Sequence, residues 1–293
     1  MNVFLNDLAD AISRSSGAPF CIKNAQPVHG GDISRAFRIS DGAHHYFVKT
    51  QPATRAGLFE GEAAGLNALT RANAMRVPRV ICRGVADGQA YLVLEYLSLH
   101  SHGNAVQLGR HLAAQHRVGA AHFGGPHDNW LGTTPQPNVW GNRWVEFWRH
   151  HRLGFQFRLA AERGHTGALQ RDGEILLAHL DVFFAGYAPS PSLLHGDLWG
   201  GNHGYLADGS PVVFDPAVYF GDRECDLAMT ELFGGFAPAF HAAYRESWPL
   251  DAGYPVRKTL YNLYHILNHV NLFGGSYVTQ ATRMTAQLLA HIR

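Results

Sequence analysis

Apolar residues in the first stretch of the chain recur at the spacing of one helix face, which predicts an amphipathic helix over residues 2–16. The pattern then changes. A strand-like stretch leads into Gly30-Gly31-Asp32-Ile33-Ser34, and Ala36-Phe37-Arg38-Ile39 and His44–Lys49 read as two further strands. The paired glycines allow a tight backbone turn between strands. Residues 58–73 return to helical spacing, with Leu58, Ala63, Leu66 and Leu69 near one face, although Gly61 and Gly65 lower the helix propensity. Val77-Pro78 opens an extended segment, Asp87-Gly88 predicts a hairpin turn, and Tyr91–Tyr96 predicts a buried strand. Beyond residue 97 the periodicity is mainly helical, over 104–122, 141–162, 171–186 and 256–292. This change of character sets a boundary near Leu97-Ser98, with a strand-rich N-terminal lobe of residues 1–97 and a larger, mainly helical lobe of residues 98–293. The Pro- and Gly-rich stretch 124–139 predicts a long connection inside the second lobe, of the kind that often faces substrate.

Composition narrows the class. Of 293 residues, 46% are hydrophobic and 16% charged, which fits an ordered globular protein. The net charge of +1 and the scattered Lys and Arg give no reason to expect a nucleic acid or an anionic membrane as partner. Cys21, Cys82 and Cys225 are far apart and odd in number, so a disulfide framework is not expected and a reducing compartment is. No run approaches 18 uninterrupted apolar residues, and the N-terminus lacks the basic n-region of a signal peptide. A cytoplasmic protein is expected, without a membrane partner. The 19 histidines include His265 and His269 at i,i+4 spacing, but without HExxH or a third ligand they read first as a pair without metal.

The chemistry concentrates in Leu193-Leu194-His195-Gly196-Asp197-Leu198-Trp199-Gly200-Gly201-Asn202, followed 13 residues later by Asp215 within Val212-Val213-Phe214-Asp215-Pro216. Phosphoryl transfer needs one carboxylate to take or orient the proton of an attacking hydroxyl. It also needs a second carboxylate and an amide oxygen to hold Mg²⁺ against nucleotide phosphates. Asp197, Asp215 and Asn202 have those types in that order. Lys49 ends an apolar strand, a costly place for an ammonium unless it meets an anion. An ATP phosphate and a helix carboxylate would both serve, the carboxylate coming from Glu62 or from Glu60. Gly30, Gly31 and Ser34 could cover the phosphates with backbone N–H groups. The backbone of Leu94-Glu95-Tyr96-Leu97, at Glu95 and Leu97, would hydrogen-bond adenine.

These segments resemble the fructosamine 3-kinases, or ketosamine 3-kinases, of the aminoglycoside phosphotransferase-like branch of the protein-kinase fold. The resemblance rests on GGDISRAF at 30–37, FVKT at 47–50, FEGEAAGLNAL at 59–69 and DNWLGTTPQPN at 128–138. It continues through WVEFWRHHRL at 144–153, LLHGDLWGGN at 193–202 and FDPAVYFGDRECDLAM at 214–229. It implies an α+β, two-lobed protein-kinase-like fold, with a small antiparallel-sheet N-lobe and a larger helical C-lobe. It further implies ATP and Mg²⁺ as cofactors, Asp197 as catalytic base, Asn202 and Asp215 as Mg²⁺ ligands, and Lys49 paired with Glu62 on the ATP phosphates. The implied acceptor is the 3-hydroxyl of a ketosamine, free or on a glycated protein. The phosphoester then eliminates and frees the amine. Ribulosamines or erythrulosamines are the acceptors expected ahead of fructosamines. Asp32 stands where several family members carry a cysteine tied to redox-sensitive dimerisation, so that mechanism is not expected. A monomer or weak dimer is.

Candidate substrate contacts are His195, Trp199, Tyr219, Asp222 and Arg223, although Asp222 and Arg223 could instead brace the catalytic loop. Trp140, Trp144 and Trp148, four residues apart, read first as a core-facing helix stripe and second as a platform for a sugar. Two other functions stay open on residues alone. One is phosphorylation of an aminoglycoside or a choline-like alcohol, although no dense acidic cluster suits a polycation. The other is a nucleotide-binding pseudokinase, although Lys49, Asp197, Asn202 and Asp215 are all present.

Overall fold

The computed structural model describes residues 3–28 and 34–292. Helix α1 (Val3–Ser16) precedes a sheet of β1 (Asn24–Val28), β2 (Arg35–Ser40), β3 (His45–Pro52), β4 (Val80–Ala86) and β5 (Gln89–Glu95). Helix α2 (Ala56–Ala72) falls between β3 and β4. The sheet order is β1-β2-β3-β5-β4, and each neighbouring pair is antiparallel. Asp87 and Gly88 join β4 to β5 with φ of 47° and 70°. Two successive left-handed residues match the right-handed twist of a hairpin, as the Asp-Gly pair predicts. Helix α1 packs Phe4, Leu8 and Ile12 against Ile39, Val48 and Val93 on one face of the sheet.

The remainder is mainly helical. Helix α3 (Ala105–His116) is followed by a short hairpin, β6 (Asn129–Leu131) and β7 (Thr134–Gln136). The connection expected over 124–139 therefore has ordered structure of its own. Next come α4 (Trp144–Trp148), a π-helical turn (Arg149–Leu153), α5 (Gly154–Glu162) and α6 (Ala168–Ala178). Trp140 lies before α4, so the tryptophan stripe breaks. Trp144 and Trp148 are core residues, whereas Trp140 is 46% exposed and stacks on Phe220. Two small ladders flank the segment from His195 to Asp215: β8 (Ser192–Leu194) with β11 (Tyr219–Gly221), and β9 (His203–Tyr205) with β10 (Pro211–Val213). Helices α7 (Glu224–Leu232), α8 (Pro238–Ser247), α9 (Tyr254–Phe273) and α10 (Ser276–Leu289) close the chain. The single helical stretch expected over 256–292 divides because Gly274 and Gly275 both take positive φ.

One core crosses between the sheet-bearing part and the helical part. Phe59, Leu66 and Leu69 of α2 and Leu92 of β5 share a buried cluster with Leu108, Leu193, Leu198, Val213 and Phe240. Leu66 is fully buried in it. Leu66→Ala should therefore lower stability by about 2–5 kcal/mol. Urea unfolding followed by fluorescence and circular dichroism should show one coincident transition, because both parts share the damaged cluster.

Candidate active site

Alternation along β3 places Phe47, Lys49 and Gln51 on the face opposite α1. Across the sheet Lys49 faces Ala36 and Leu92, and Phe47 faces Arg38 and Leu94. Lys49 is nearly buried, and a bare ammonium there would be costly. Its Nζ donates to Glu62 Oε1 at 2.8 Å and to Asp215 Oδ1 at 2.6 Å. Glu60 instead pairs with Arg83 at the surface, so Glu62 is the helix partner of Lys49. Burial pulls the Lys49 pKa down, but Asp215 and Glu62 more than offset it and hold the ammonium charged. Burial, with the charge of Asp215 behind it, pushes Glu62 upward against the opposing pull of Lys49.

Helix α2 reaches this position because it carries glycine where it meets the β6–β7 hairpin. A Cβ on Gly57 would lie 2.8 Å from the Trp130 ring, one on Gly61 3.0 Å from Asn129 Cβ, and one on Gly65 3.1 Å from Val218. The glycines that weaken the helix in isolation thus permit its approach. The hairpin is tied in turn to the strand after Asp215. Asn129 Nδ2 donates to Val218 O, while Gln136 Nε2 donates to Ala217 O and to Asn129 Oδ1. Tyr264 of α9 donates to Gln136 Oε1. Periodicity gave no sign of these residues. The spacing of Gly57, Gly61 and Gly65, four apart along α2, is the signal that could have pointed to a close contact.

The Asp197 loop is held from below. Asp226 of α7 accepts from the backbone N–H of His195 at 2.7 Å and of Gly196 at 2.8 Å, and pairs with His116 Nε2 at 3.0 Å. His195 is buried and neutral, its pKa lowered chiefly by burial. Its Nε2–H donates to Phe214 O and its Nδ1 accepts from Asp197 N–H, so one ring joins the two acidic loops. Gly196 has φ +84°, and a Cβ there would lie 2.0 Å from Ala217 O, so only glycine fits. Asp215 adopts φ +56°, an uncommon conformation for a residue with a side chain.

Asn202 Nδ2 donates to Asp197 O at 2.9 Å and to Asp197 Oδ2 at 3.3 Å, and lies 3.5 Å from Asp215 O. Asp197, Asn202 and Asp215 therefore form one cluster beside Lys49. Burial first, then the nearby charges of Asp215 and Asp226, push Asp197 up to about 7, while Asn202 opposes the rise. The Asp215 side chain is 40% exposed to the cleft. An exposed carboxylate beside an amide oxygen is a hard donor set that fits Mg²⁺. Near the cleft mouth, Ser34 Oγ accepts from Gln51 Nε2 at 3.1 Å. Glu95 gives its carboxylate to Arg76 and Arg79 and its N–H to Arg79 O. Gly30, Gly31 and Asp32 lie outside the described residues.

Four substrate candidates point into the protein, which corrects that expectation. His195 is committed as above. Tyr219 is buried under the Arg152 guanidinium, 4.0 Å from its ring centroid. Asp222 is fully buried, accepting from Tyr187 and Tyr261. Arg223 is buried on Tyr244, Trp248 O and Pro249 O. Only the exposed Trp199 remains open to an acceptor. Sequence spacing placed all five near the catalytic loop but could not tell inward from outward. His265 and His269 hold no shared site: His269 Nδ1 donates to His265 O, and burial drives His265 down to about 3. Among the described residues no three His, Cys, Asp or Glu side chains gather as a metal site.

A small antiparallel sheet on a helical body, with a Lys–Glu pair facing an Asp–Asn–Asp cluster, defines a protein-kinase-like phosphotransferase. The fructosamine kinase family model matches residues 4–291. A probable ketoamine kinase of Synechocystis is 45% identical over 96% of each chain. The chloroplastic protein-ribulosamine 3-kinase of Arabidopsis thaliana is 40% identical over 87% of this chain and 79% of its own. A structure from Haemophilus somnus assigned as a fructosamine-3-kinase superposes with a TM-score of 0.89 at 30% identity, covering 96% of both chains. The chain belongs to the fructosamine kinase family. The aminoglycoside phosphotransferase APH(2'')-Ib, 12% identical with a TM-score of 0.63 over 94% of this chain and 98% of its own, shares the fold.

Two outcomes follow from this geometry. Asp197→Asn removes a carboxylate whose ionised form burial disfavours, so it should raise Tm at pH 8. Because the folded-state pKa lies above the unfolded value, that advantage should shrink as pH falls from 7 towards 4, which thermal melts across pH will read. Gly61→Leu should push α2 off Asn129 and raise the KM for ATP at least about fivefold, with the KM for the acceptor little changed. Steady-state kinetics with each substrate varied separately will check it.

Proposed function

We propose that the protein transfers the γ-phosphoryl group of ATP to the 3-hydroxyl of a ketosamine, with ribulosamines the leading acceptors. One observation carries this: the Lys49–Glu62 pair converges on Asp197, Asn202 and Asp215 in a chain 40% identical to a protein-ribulosamine 3-kinase.

Asp197 accepts the proton of the attacking sugar hydroxyl. The new P–O bond forms as the bond from the γ-phosphorus to the bridging oxygen breaks, and ADP leaves. Lys49, held by Glu62, turns from Asp215 to the phosphates, whose charge replaces that carboxylate. Asn202 and Asp215 would hold Mg²⁺, which when bound neutralises phosphate charge. Phe47, Ala36 and Leu94, on the face that carries Lys49, give the adenine an apolar wall. The backbone at Glu95–Leu97 edges it, and Ser34 with Gly30 and Gly31 covers the phosphates. Residues 1–97 act as the nucleotide lobe and 98–293 as the catalytic lobe, and closure between them excludes water. The product phosphoester eliminates and releases the amine, which makes the protein a deglycation enzyme.

The three free cysteines support a reducing compartment such as the cytoplasm, and no helix among the described residues is long and apolar enough to cross a membrane. The aminoglycoside phosphotransferases, at 12% identity for APH(2'')-Ib, share only the fold with this chain.

The test is Mg²⁺-dependent ADP formation with a ribulosylated amine, beside an aminoglycoside panel. Turnover on the ribulosamine, reduced about 10²–10⁴-fold in Asp197→Ala with the fold intact, is expected. ATP binding without turnover of any alcohol would overturn the proposal. With the base titrating near 7 in the free enzyme, log kcat/KM should fall with unit slope below that pH.

A further inference from the structure

Register carries a second set of side chains onto the face of the sheet that bears Lys49. Asn24 pairs with Ser40 and Ser40 with His45, while Gln26 pairs with Arg38 and Arg38 with Phe47. Residues opposite one another in a ladder project to the same side. Asn24, Gln26, Arg38, Ser40 and His45 therefore share the side of Phe47 and Lys49. Together with Lys23 and Gly42 they line a cavity of about 340 Å³. Ser40 and His45 stand four residues along their strands from Ala36 and Lys49, about 13 Å away. The cavity thus borders the cleft beside Phe47 but lies apart from the Lys49–Asp215 cluster.

The lining is cationic and holds no carboxylate. The chain has three lysines. Lys49 and Lys258 pair with carboxylates, whereas Lys23 meets none among the described residues. Arg38 meets none there either. Its guanidinium lies over the Tyr96 ring, 4.9 Å from the centroid, and Nη2 donates to His45 Nδ1 at 3.3 Å. With His45 accepting at Nδ1, its proton sits on Nε2, a further donor. The acid of the β2–β3 turn, Asp41, is occupied by His44 and by the backbone N–H groups of Ala43 and His44. Ser40 Oγ accepts from Gly42 N–H, which leaves its O–H to donate. Gly42 has φ +100°, and a Cβ on it would lie 4.0 Å from Lys23 Nζ, so the ammonium stands over this turn.

Two cations and several neutral donors around one cavity, with no acid to neutralise them, select an anion. A guanidinium and an ammonium beside hydroxyl and imidazole donors suit the oxygens of a phosphate group. The cavity has the size of a small-molecule site, more than a bare phosphate needs. The amides of Asn24 and Gln26 both donate and accept, which matches the hydroxyls of a body attached to that phosphate.

We propose that this cavity binds a sugar or polyol phosphate, with Lys23 and Arg38 holding the phosphate and Asn24 and Gln26 meeting the hydroxyls. Such binding is distinct from phosphoryl transfer at Asp197 and is read without turnover.

Isothermal titration calorimetry at constant ionic strength will use sorbitol 6-phosphate, which has no aldehyde to react with lysine, beside sorbitol and inorganic phosphate. Wild type should bind sorbitol 6-phosphate at one site with a Kd of about 1 mM or below, and sorbitol not at all. Lys23→Gln and Arg38→Gln should each weaken binding about tenfold through loss of a charge-assisted hydrogen bond. Lys23 is exposed, so its substitution tests the site with the fold undisturbed. Binding should persist with a saturating non-hydrolysable ATP analogue and Mg²⁺ present. Weaker binding of inorganic phosphate is expected from the lost hydroxyl contacts; equal affinity would overturn the sugar part of the assignment and leave a phosphate site. No saturable binding, affinities unchanged in both variants, or complete loss with the ATP analogue would overturn the site.

Discussion

The ammonium of Lys49 sits almost out of water between two carboxylates, and the rest of the site is arranged around that fact. A buried cation needs partners in fixed positions, because a low-dielectric surrounding makes both a good pairing and a missed one large. Glu62 comes from α2 and Asp215 from the loop after β10, so one side chain joins the sheet, the helix and the helical body. The glycine face of α2, the β6–β7 hairpin and the side chains of Asn129 and Gln136 all hold that three-way contact in place. In the proposed mechanism Lys49 is also the group that changes partner when phosphates arrive. The same triad therefore organises the cleft and, on the proposed mechanism, readies it for nucleotide.

A second set of constraints fixes the acidic loops with respect to each other. Asp226 accepts two backbone N–H groups below Asp197, and His195 hydrogen-bonds into both loops. These groups are buried and satisfied, so they add rigidity without reaching a substrate. That is where Asp222 and Arg223 belong as well. Their interior bonds to tyrosine hydroxyls and backbone carbonyls brace the segment behind Asp215. Burial first, and then the charges of Asp215 and Asp226, raise the Asp197 pKa towards neutrality, which would suit the proposed role of proton acceptor at physiological pH. Mg²⁺ would relieve part of this repulsion when bound.

Family membership agrees with this arrangement, but the two bear on different questions. The relatives identify a chemistry of ketoamines, whereas the geometry identifies which side chains can reach a nucleotide or an acceptor. Of the aromatic residues near the loop, Tyr219 and Trp144 are core, and Trp199 and Phe233 face outward.

The sequence by itself determined the order of elements and the candidate reacting groups. Period-two and period-3.6 patterns gave the antiparallel sheet, the Asp-Gly hairpin and most helices, because burial of one face acts locally. His195 to Asn202 and Asp215 were legible because metal and proton chemistry restrict residue type and spacing. What only the tertiary structure decided was every matter of direction across space. Whether Glu60 or Glu62 meets Lys49 depended on which face of α2 turns to the sheet. The inward turn of Asp222 and Arg223 depended on tyrosines and carbonyls more than 20 residues away, and that of Tyr219 on the Arg152 guanidinium. The glycines of α2, read locally as weak points, proved to be contact surface. A residue's partners across the fold are absent from its neighbourhood in the chain, and close packing alone selects them.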